Sequence, residues 1–325
     1  MAVYTEVTAA ELQHMLADFD LGQLVTHKGI EGGIENTNYF VTLEKDGERA
    51  EYVLTLFEEF GLEDMPFFVE LTTWLAERGC PVPAPFKDRH GIQLKQLHAR
   101  PALLLPRFAG QNLQQDKLSI DHCRQIGAAL AQFHNAGQDF YMKRQAHRGI
   151  FWWKRESANI RKLLSAEDGD LLMQEVRLFD ELREKPYGLP MGVVHGDLFH
   201  DNALFADEQL SAIIDVYNAA TAFLLYDLAI MANDWCLNPD GSIDPDREQA
   251  LLKAYAEHRP FTEDEYHAWP QMTRTAAMRF WLSRLIPWHG VQQENRQNND
   301  MKLKDPDEMK QILLHRINCP SSLPQ

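Results

Sequence analysis

Asp197 and Asn202 stand on one short run, His195-Gly-Asp-Leu-Phe-His-Asp-Asn202, and Asp215 closes the apolar passage Ile213-Ile-Asp215 a little further on. Together they offer two carboxylates and a carboxamide, all hard oxygen donors. Phosphoryl transfer needs such a set: one acid to orient an attacking hydroxyl, and oxygen ligands for Mg²⁺ on nucleotide phosphates. Taken singly, each residue is an ordinary turn former. Their order, and their bracketing by Val193-Val194 and Ile213-Ile214, make the set more specific than its members. A rival chemistry is also open. His195, Asp197, His200 and Asp201 have the density of a hydrolase site holding zinc, manganese or iron, although no second His/Asp cluster follows to complete it.

These residues must be positioned by a chain of 325 residues, enough for about two lobes. Lys plus Arg is 32 against Asp plus Glu 48, a formal charge of −16, which argues against a nucleic-acid or anionic-membrane surface. The longest apolar stretch, residues 219–232, is interrupted by Asp227 and is too short to span a bilayer. The opening MAVYTEVTAAE has no basic or apolar leader region, and four dispersed cysteines form no CxxC pair. Both features fit a cytoplasmic protein with reduced thiols.

Along the chain, Thr8-Ala-Ala-Glu11 has capping-box spacing before an apolar helix. Strand patterns follow at 24–30, 38–43 and 52–57, with a turn at Asp46-Gly47. A helix is expected over 65–78, closed by Gly79, and two strands at 92–97 and 100–106. Beyond Arg107-Phe-Ala-Gly110 the pattern turns helical, at 120–134 and 157–184. A β-type passage at 193–216 interrupts, and helices run from 223 onward, broken at Asn238-Pro-Asp-Gly241 and at Pro287. The expectation is an α+β protein of two lobes: a β-rich lobe over 1–106 and a helical lobe over 107–325. Ligand sites favour the cleft between such lobes.

HGD-x4-N followed by ID resembles the catalytic signature of the aminoglycoside phosphotransferase and choline kinase superfamily, and the resemblance extends over essentially the whole chain. It is closest to the homoserine kinase branch. Glu31-Gly-Gly-Ile-Glu-Asn-Thr-Asn-Tyr39, Tyr52-Val-Leu-Thr-Leu56, Tyr226-Asp-Leu-Ala229, Trp235-Cys236, Arg279-Phe-Trp-Leu-Ser-Arg-Leu285 and Lys304-Asp-Pro306 carry it. The resemblance implies a protein-kinase-like fold and transfer of the ATP γ-phosphate to the hydroxyl of L-homoserine, a step of threonine biosynthesis. Related small-molecule kinases acting on choline, ethanolamine, hydroxylysine or an aminoglycoside are the alternative; a metal-dependent hydrolase or a non-catalytic pseudokinase ranks lower.

The same resemblance makes Asp197 the catalytic base, Asn202 and Asp215 the Mg²⁺ ligands, and His195 and Asp227 supports of the loop and the helix that follows. A free aspartate has a pKa of about 3.9, too low to deprotonate an alcohol in advance. In a loose transition state it need only hold the hydroxyl in line and take its proton late. Gly32 and Gly33, with Gly29, resemble a turn covering phosphates, where bare backbone N–H groups approach anionic oxygen; an ordinary hairpin turn reads the same. Glu70 resembles the helix glutamate that steadies a phosphate-binding Lys, and on a 100° wheel it borders the apolar arc of Phe67, Phe68, Leu71, Trp74 and Leu75. Where most of the superfamily carries that Lys, this chain has Thr55, and Lys28, on the preceding strand, is the candidate substitute.

Homoserine carries a carboxylate and an ammonium. Arg279 and Arg284 are candidate carboxylate clamps, and Asp234 a candidate ammonium contact; salt bridges within the protein and a helix surface are the bland readings of the same residues. Trp152-Trp153 reads equally as core or as a substrate wall.

Overall fold

The computed structural model describes residues 3–30, 36–185, 188–291 and 303–325. The chain divides into two compact units, Met1–Ala109 and Gly110–Gln325.

The first unit is a five-stranded antiparallel sheet with two helices. Its strands are β1 (Gln23–Gly29), β2 (Asn36–Lys45), β3 (Glu48–Phe57), β4 (Lys95–Leu97) and β5 (Arg100–Pro106), in the order β1-β2-β3-β5-β4. Asp46 and Gly47 both have positive φ, the backbone that a tight β2–β3 turn requires. Period-two alternation then sorts the side chains. Tyr39, Val41, Leu43, Tyr52, Leu54, Leu56 and Leu104 form one buried face with Leu12, Met15 and Leu16 of α1 (Ala9–Leu16). The capping box of Thr8 and Glu11 closes in both directions, as its spacing predicts. Asn38 and Thr55, directly paired across β2 and β3, alternate with that face and so lie on the opposite one. Helix α2 (Met65–Glu77) ends at Gly79, whose φ is +80°.

The motif around Asn36 to Tyr39 has a local purpose. The Thr37 hydroxyl accepts from the N–H groups of Tyr4 and Thr5 at 2.9 and 3.1 Å, and the Tyr39 hydroxyl accepts from Val7 N–H at 3.1 Å. The segment before α1 is thereby sewn to β2.

The second unit contains α3 (Ile120–Gly137), α4 (Ile150–Ile160), α5 (Ala166–Glu184), α6 (Leu224–Asp234), α7 (Pro245–His258), α8 (Glu263–Trp288) and α9 (Pro306–Asn318). Strand β6 (Met191–Val194) pairs antiparallel with β9 (Ala220–Phe223), and β7 (Ala203–Ala206) with β8 (Gln209–Ile213). Residues 195–219 therefore leave and return at one two-stranded ribbon, with a hairpin in the middle. This excursion carries the candidate chemistry. Among the described residues no helix is long and apolar enough to cross a membrane.

Several element boundaries differ from expectation. The helix expected over 157–184 is two, α4 and α5, separated by a 3₁₀ turn at Arg161–Leu163; Ser165 caps α5 by accepting from Asp168 N–H at 3.1 Å. Helix α8 runs through Pro287 to Trp288 instead of breaking before it. Residues 220–223 of the apolar stretch form β9, and β4 begins three residues later than its strand pattern. Trp152 and Trp153 divide the two readings between them. Trp153 is core, its ring 4.9 Å from Phe179, whereas Trp152 is half-buried and lies over Arg279.

Candidate active site

Helix α6 organises the site. Asp227 and Asp234 are seven residues apart, nearly two full turns, so both project from one face about 10 Å apart along the axis. The loop from His195 to His200 lies on that face and is held at both ends. Asp227 is fully buried: Oδ2 accepts from His195 N–H at 2.6 Å, Oδ1 from Gly196 N–H at 2.7 Å, and the His134 Nε2 of α3 lies 3.2 Å from Oδ2. At the other end Asp234 Oδ2 accepts from His200 N–H at 2.7 Å and meets His200 Nδ1 at 2.8 Å. Trp235 Nε1 donates to Leu198 O at 3.1 Å between them. Asp197 is thus carried on a loop pinned before and after it.

The loop is then tied to Asp215. His195 Nε2 donates to Ile214 O at 3.0 Å, and Ile214 N–H donates to Asn202 O at 2.9 Å. Asn202 Nδ2 donates to Asp197 O at 2.8 Å. Asp215 has φ 59° and ψ 46°, a left-handed conformation that non-glycine residues adopt at a cost and that gathers at functional sites. Gly196 has φ +80°, and a Cβ there would lie 2.8 Å from Asn218 O, so the close approach of the two loops requires glycine. The structure ties together the segments of Asp197, Asn202 and Asp215, three residues singled out by type and spacing, through the Asn202 carboxamide and the Ile214 backbone.

The donor set fits a hard cation. With its Nδ2 spent on Asp197 O, the Asn202 carboxamide has its oxygen end for a ligand, and Asp215 adds a carboxylate. The zinc-type cluster does not form. His195 is buried with Nε2 on Ile214 O and Nδ1 accepting from Asp197 N–H, and His200 Nδ1 is on Asp234. Among the described residues no group of three or more His, Cys, Asp or Glu is placed to hold a metal.

Two expected substrate contacts are corrected. Asp234 is not a surface residue reaching out to an ammonium: it is buried, and its Oδ2 is held by the loop. Burial alone would push the His200 imidazole down, but the Asp234 hydrogen bond and charge, with Asp201, carry it above its ordinary value. Arg284 donates to Asp305 O at 2.7 Å and to Glu308 Oε2 at 2.6 Å, so it fastens α9 to α8. Arg279 remains near the loop, buried on α8 with its Cζ 5.3 Å from the Trp152 ring centroid.

Sequence reading passed over His134 and Tyr255. Tyr255 of α7 lies with its hydroxyl 2.7 Å from His134 Nδ1, which leaves Nε2–H to face Asp227. The available signal was a histidine on the apolar face of α3, a pattern shared with any core histidine. Burial pushes both His134 and His195 below the ordinary imidazole range, and Asp227 offsets this only in part. Below about pH 6.5 the unfolded chain takes up protons that the folded one refuses. The stabilisation is therefore present above that pH and is lost as pH falls. Urea midpoints should drop between pH 7.5 and pH 5, and His134→Gln, which keeps an N–H donor but cannot titrate, should lose less over that range. Equal acid sensitivity in the two proteins would remove His134 from the effect.

In the first unit, Thr55 is buried and donates to Asn38 Oδ1 at 2.7 Å, and Glu70 is an exposed residue of α2. Lys28 is exposed on β1, and Gly32 and Gly33 lie outside the described residues. Thr55 therefore supplies a hydroxyl held by a neighbouring strand, with no positive charge.

Comparison with known proteins agrees with this geometry. Residues 26–261 match the model of a family described as "Phosphotransferase enzyme family". Homoserine kinase of Pseudomonas aeruginosa strain LESB58 is 41% identical over 324 residues, covering 100% of this chain and 99% of that protein. Homoserine kinase of Methylobacillus flagellatus is 42% identical over 320 residues, covering 98% and 96%. Among solved structures, an amicoumacin kinase in complex with AMP-PNP, Ca²⁺ and Ami superposes with a TM-score of 0.71 at 14% identity, covering 96% of this chain and 93% of that one. Choline kinase from Cryptosporidium parvum Iowa II gives 0.66 at 12% identity, covering 96% and 95%. The fold is protein-kinase-like, and the chain belongs to the phosphotransferase enzyme family, in its homoserine kinase branch.

Proposed function

We propose that this protein transfers the γ-phosphate of ATP to the hydroxyl of L-homoserine, in the cytoplasm. The observation that carries the reading is the loop of Asp197 and Asn202, pinned to α6 by Asp227 and Asp234 and tied through Ile214 to Asp215. Full-length relatives named homoserine kinase supply the acceptor.

The Asp197 carboxylate accepts a hydrogen bond from the acceptor hydroxyl and holds its oxygen in line with the γ-phosphorus. As the oxygen–phosphorus bond forms and the bond to the ADP oxygen breaks, the hydroxyl proton passes to Asp197. Positioning is the larger part of this role, and the double anchoring of the loop serves it. Asn202 and Asp215 would hold Mg²⁺ through oxygen. When bound, that ion neutralises charge building on the phosphate oxygens.

An ADP-release assay on homoserine, choline, ethanolamine and kanamycin tests the reading. Homoserine should give the highest kcat/KM. Release with choline or kanamycin and none with homoserine would replace the acceptor and keep the chemistry.

A further inference from the structure

Homoserine is short, with four bonds between its hydroxyl oxygen and its carboxylate carbon, a span of about 5 Å. Whatever receives the carboxylate must therefore stand on elements that touch the loop of Asp197. One guanidinium of the helical unit is built into such a place. Arg279 of α8 is 7% exposed, with its Cζ 5.3 Å from the ring centroid of Trp152 on α4 and 4.9 Å from that of Phe280. Its Nη1 donates to Ser283 Oγ.

Phe280 meets Phe199 edge to face, with centroids 4.6 Å apart and ring planes at 83°. Phe199 belongs to the loop itself, and its N–H donates to Asp197 O at 2.8 Å. Trp152, Phe199 and Phe280 are all partly exposed, so the aromatic frame opens to solvent while the guanidinium within it is buried. Tyr226, half-buried beside Trp153, lies within electrostatic range of both Arg279 and Asp197.

We propose that Arg279, set against Trp152 and against Phe280, whose ring meets Phe199 of the loop, receives the α-carboxylate of the acceptor amino acid and sets the enzyme's preference for it over an amino alcohol. The inference rests on the homoserine reading above and deepens it. Aromatic faces fix a planar guanidinium and remove water from it, and both effects strengthen a bidentate hold on a carboxylate. Lys304, another cation close to the loop among the described residues, is paired with Asp201 at 3.5 Å, and about half of each side chain is exposed. Water screens such a pair and would weaken any hold on the substrate.

The test compares kcat/KM for homoserine with that for 3-aminopropan-1-ol, which keeps the hydroxyl, the chain and the ammonium and lacks the carboxylate. The intact protein should prefer homoserine by about two orders of magnitude or more, and Arg279→Gln should reduce that ratio about 100-fold with little change in the KM for ATP. Arg279→Lys, which keeps the charge and disturbs packing less, should reduce it partway, and Lys304→Gln should leave it as it was. A parallel loss on both substrates, or an unchanged ratio in both Arg279 variants, overturns the assignment while homoserine turnover by the intact protein stands. Absence of that turnover in the intact protein overturns the homoserine reading and this inference with it.

Discussion

Asp197→Asn should lower kcat by two orders of magnitude or more, the lower part of the range that general-base groups contribute. The substitution keeps shape and a hydrogen-bond acceptor but cannot take the hydroxyl proton. It should leave the fold intact. Asp197 contributes to the loop's stitching through its main chain, its N–H to His195 Nδ1 and its carbonyl to Asn202 and Phe199, and those bonds are indifferent to the side chain. Steady-state ADP release gives kcat, and a KM for ATP within a few-fold of the original shows that the site persists. Turnover at the original rate would take Asp197 out of the chemistry.

Arg316→Met should destabilise the helical unit by about 3–5 kcal/mol, the usual cost of removing one partner from a buried ion pair. Arg316 on α9 is 1% exposed. It donates to Glu248 Oε1 at 2.7 Å, Asn233 Oδ1 at 2.8 Å, Ser321 Oγ at 3.0 Å and Ala232 O at 3.2 Å. Methionine fills much of the volume and leaves Glu248 as a buried carboxylate that keeps the hydrogen bond from Ser321. Denaturant unfolding reads the loss directly, and adding Glu248→Gln should recover part of it by removing the stranded charge. A midpoint unmoved by Arg316→Met would mean that water or rearrangement replaces the whole network.

How much of this was legible in the sequence depended on the range of the interaction. Capping at Thr8, the turn at Asp46-Gly47, the end of α2 at Gly79 and the bounds of β5 are local, and residue types near each position decide them. The trio Asp197, Asn202 and Asp215 was legible as a candidate set because hard oxygen donors stand in that order between apolar strands. Asp234 was misread because its role is a relation. Only when 224–234 is one helix, and the loop crosses its face, does spacing from Asp227 make it the second anchor. Arg284 failed likewise, since its partners on α9 lie more than twenty residues away. The break before α5 was not anticipated, since 157–184 reads as one helical stretch until Ser165 is seen to cap α5.

The reach of Arg316 across 83 residues to Asn233 also bears on how the chain matures as it is made. At 5–20 residues per second, a ribosome needs about 4–17 s to travel from one partner to the other. Strands β1 to β5 are complete before α3 is synthesised, so the sheet unit can settle early. The far end of α6, with Ala232 and Asn233 still lacking their guanidinium, waits through that interval. A nascent chain therefore carries a finished sheet while the anchor of its transfer loop is provisional, and residues near 232–248 are where a protease or a chaperone would find it open.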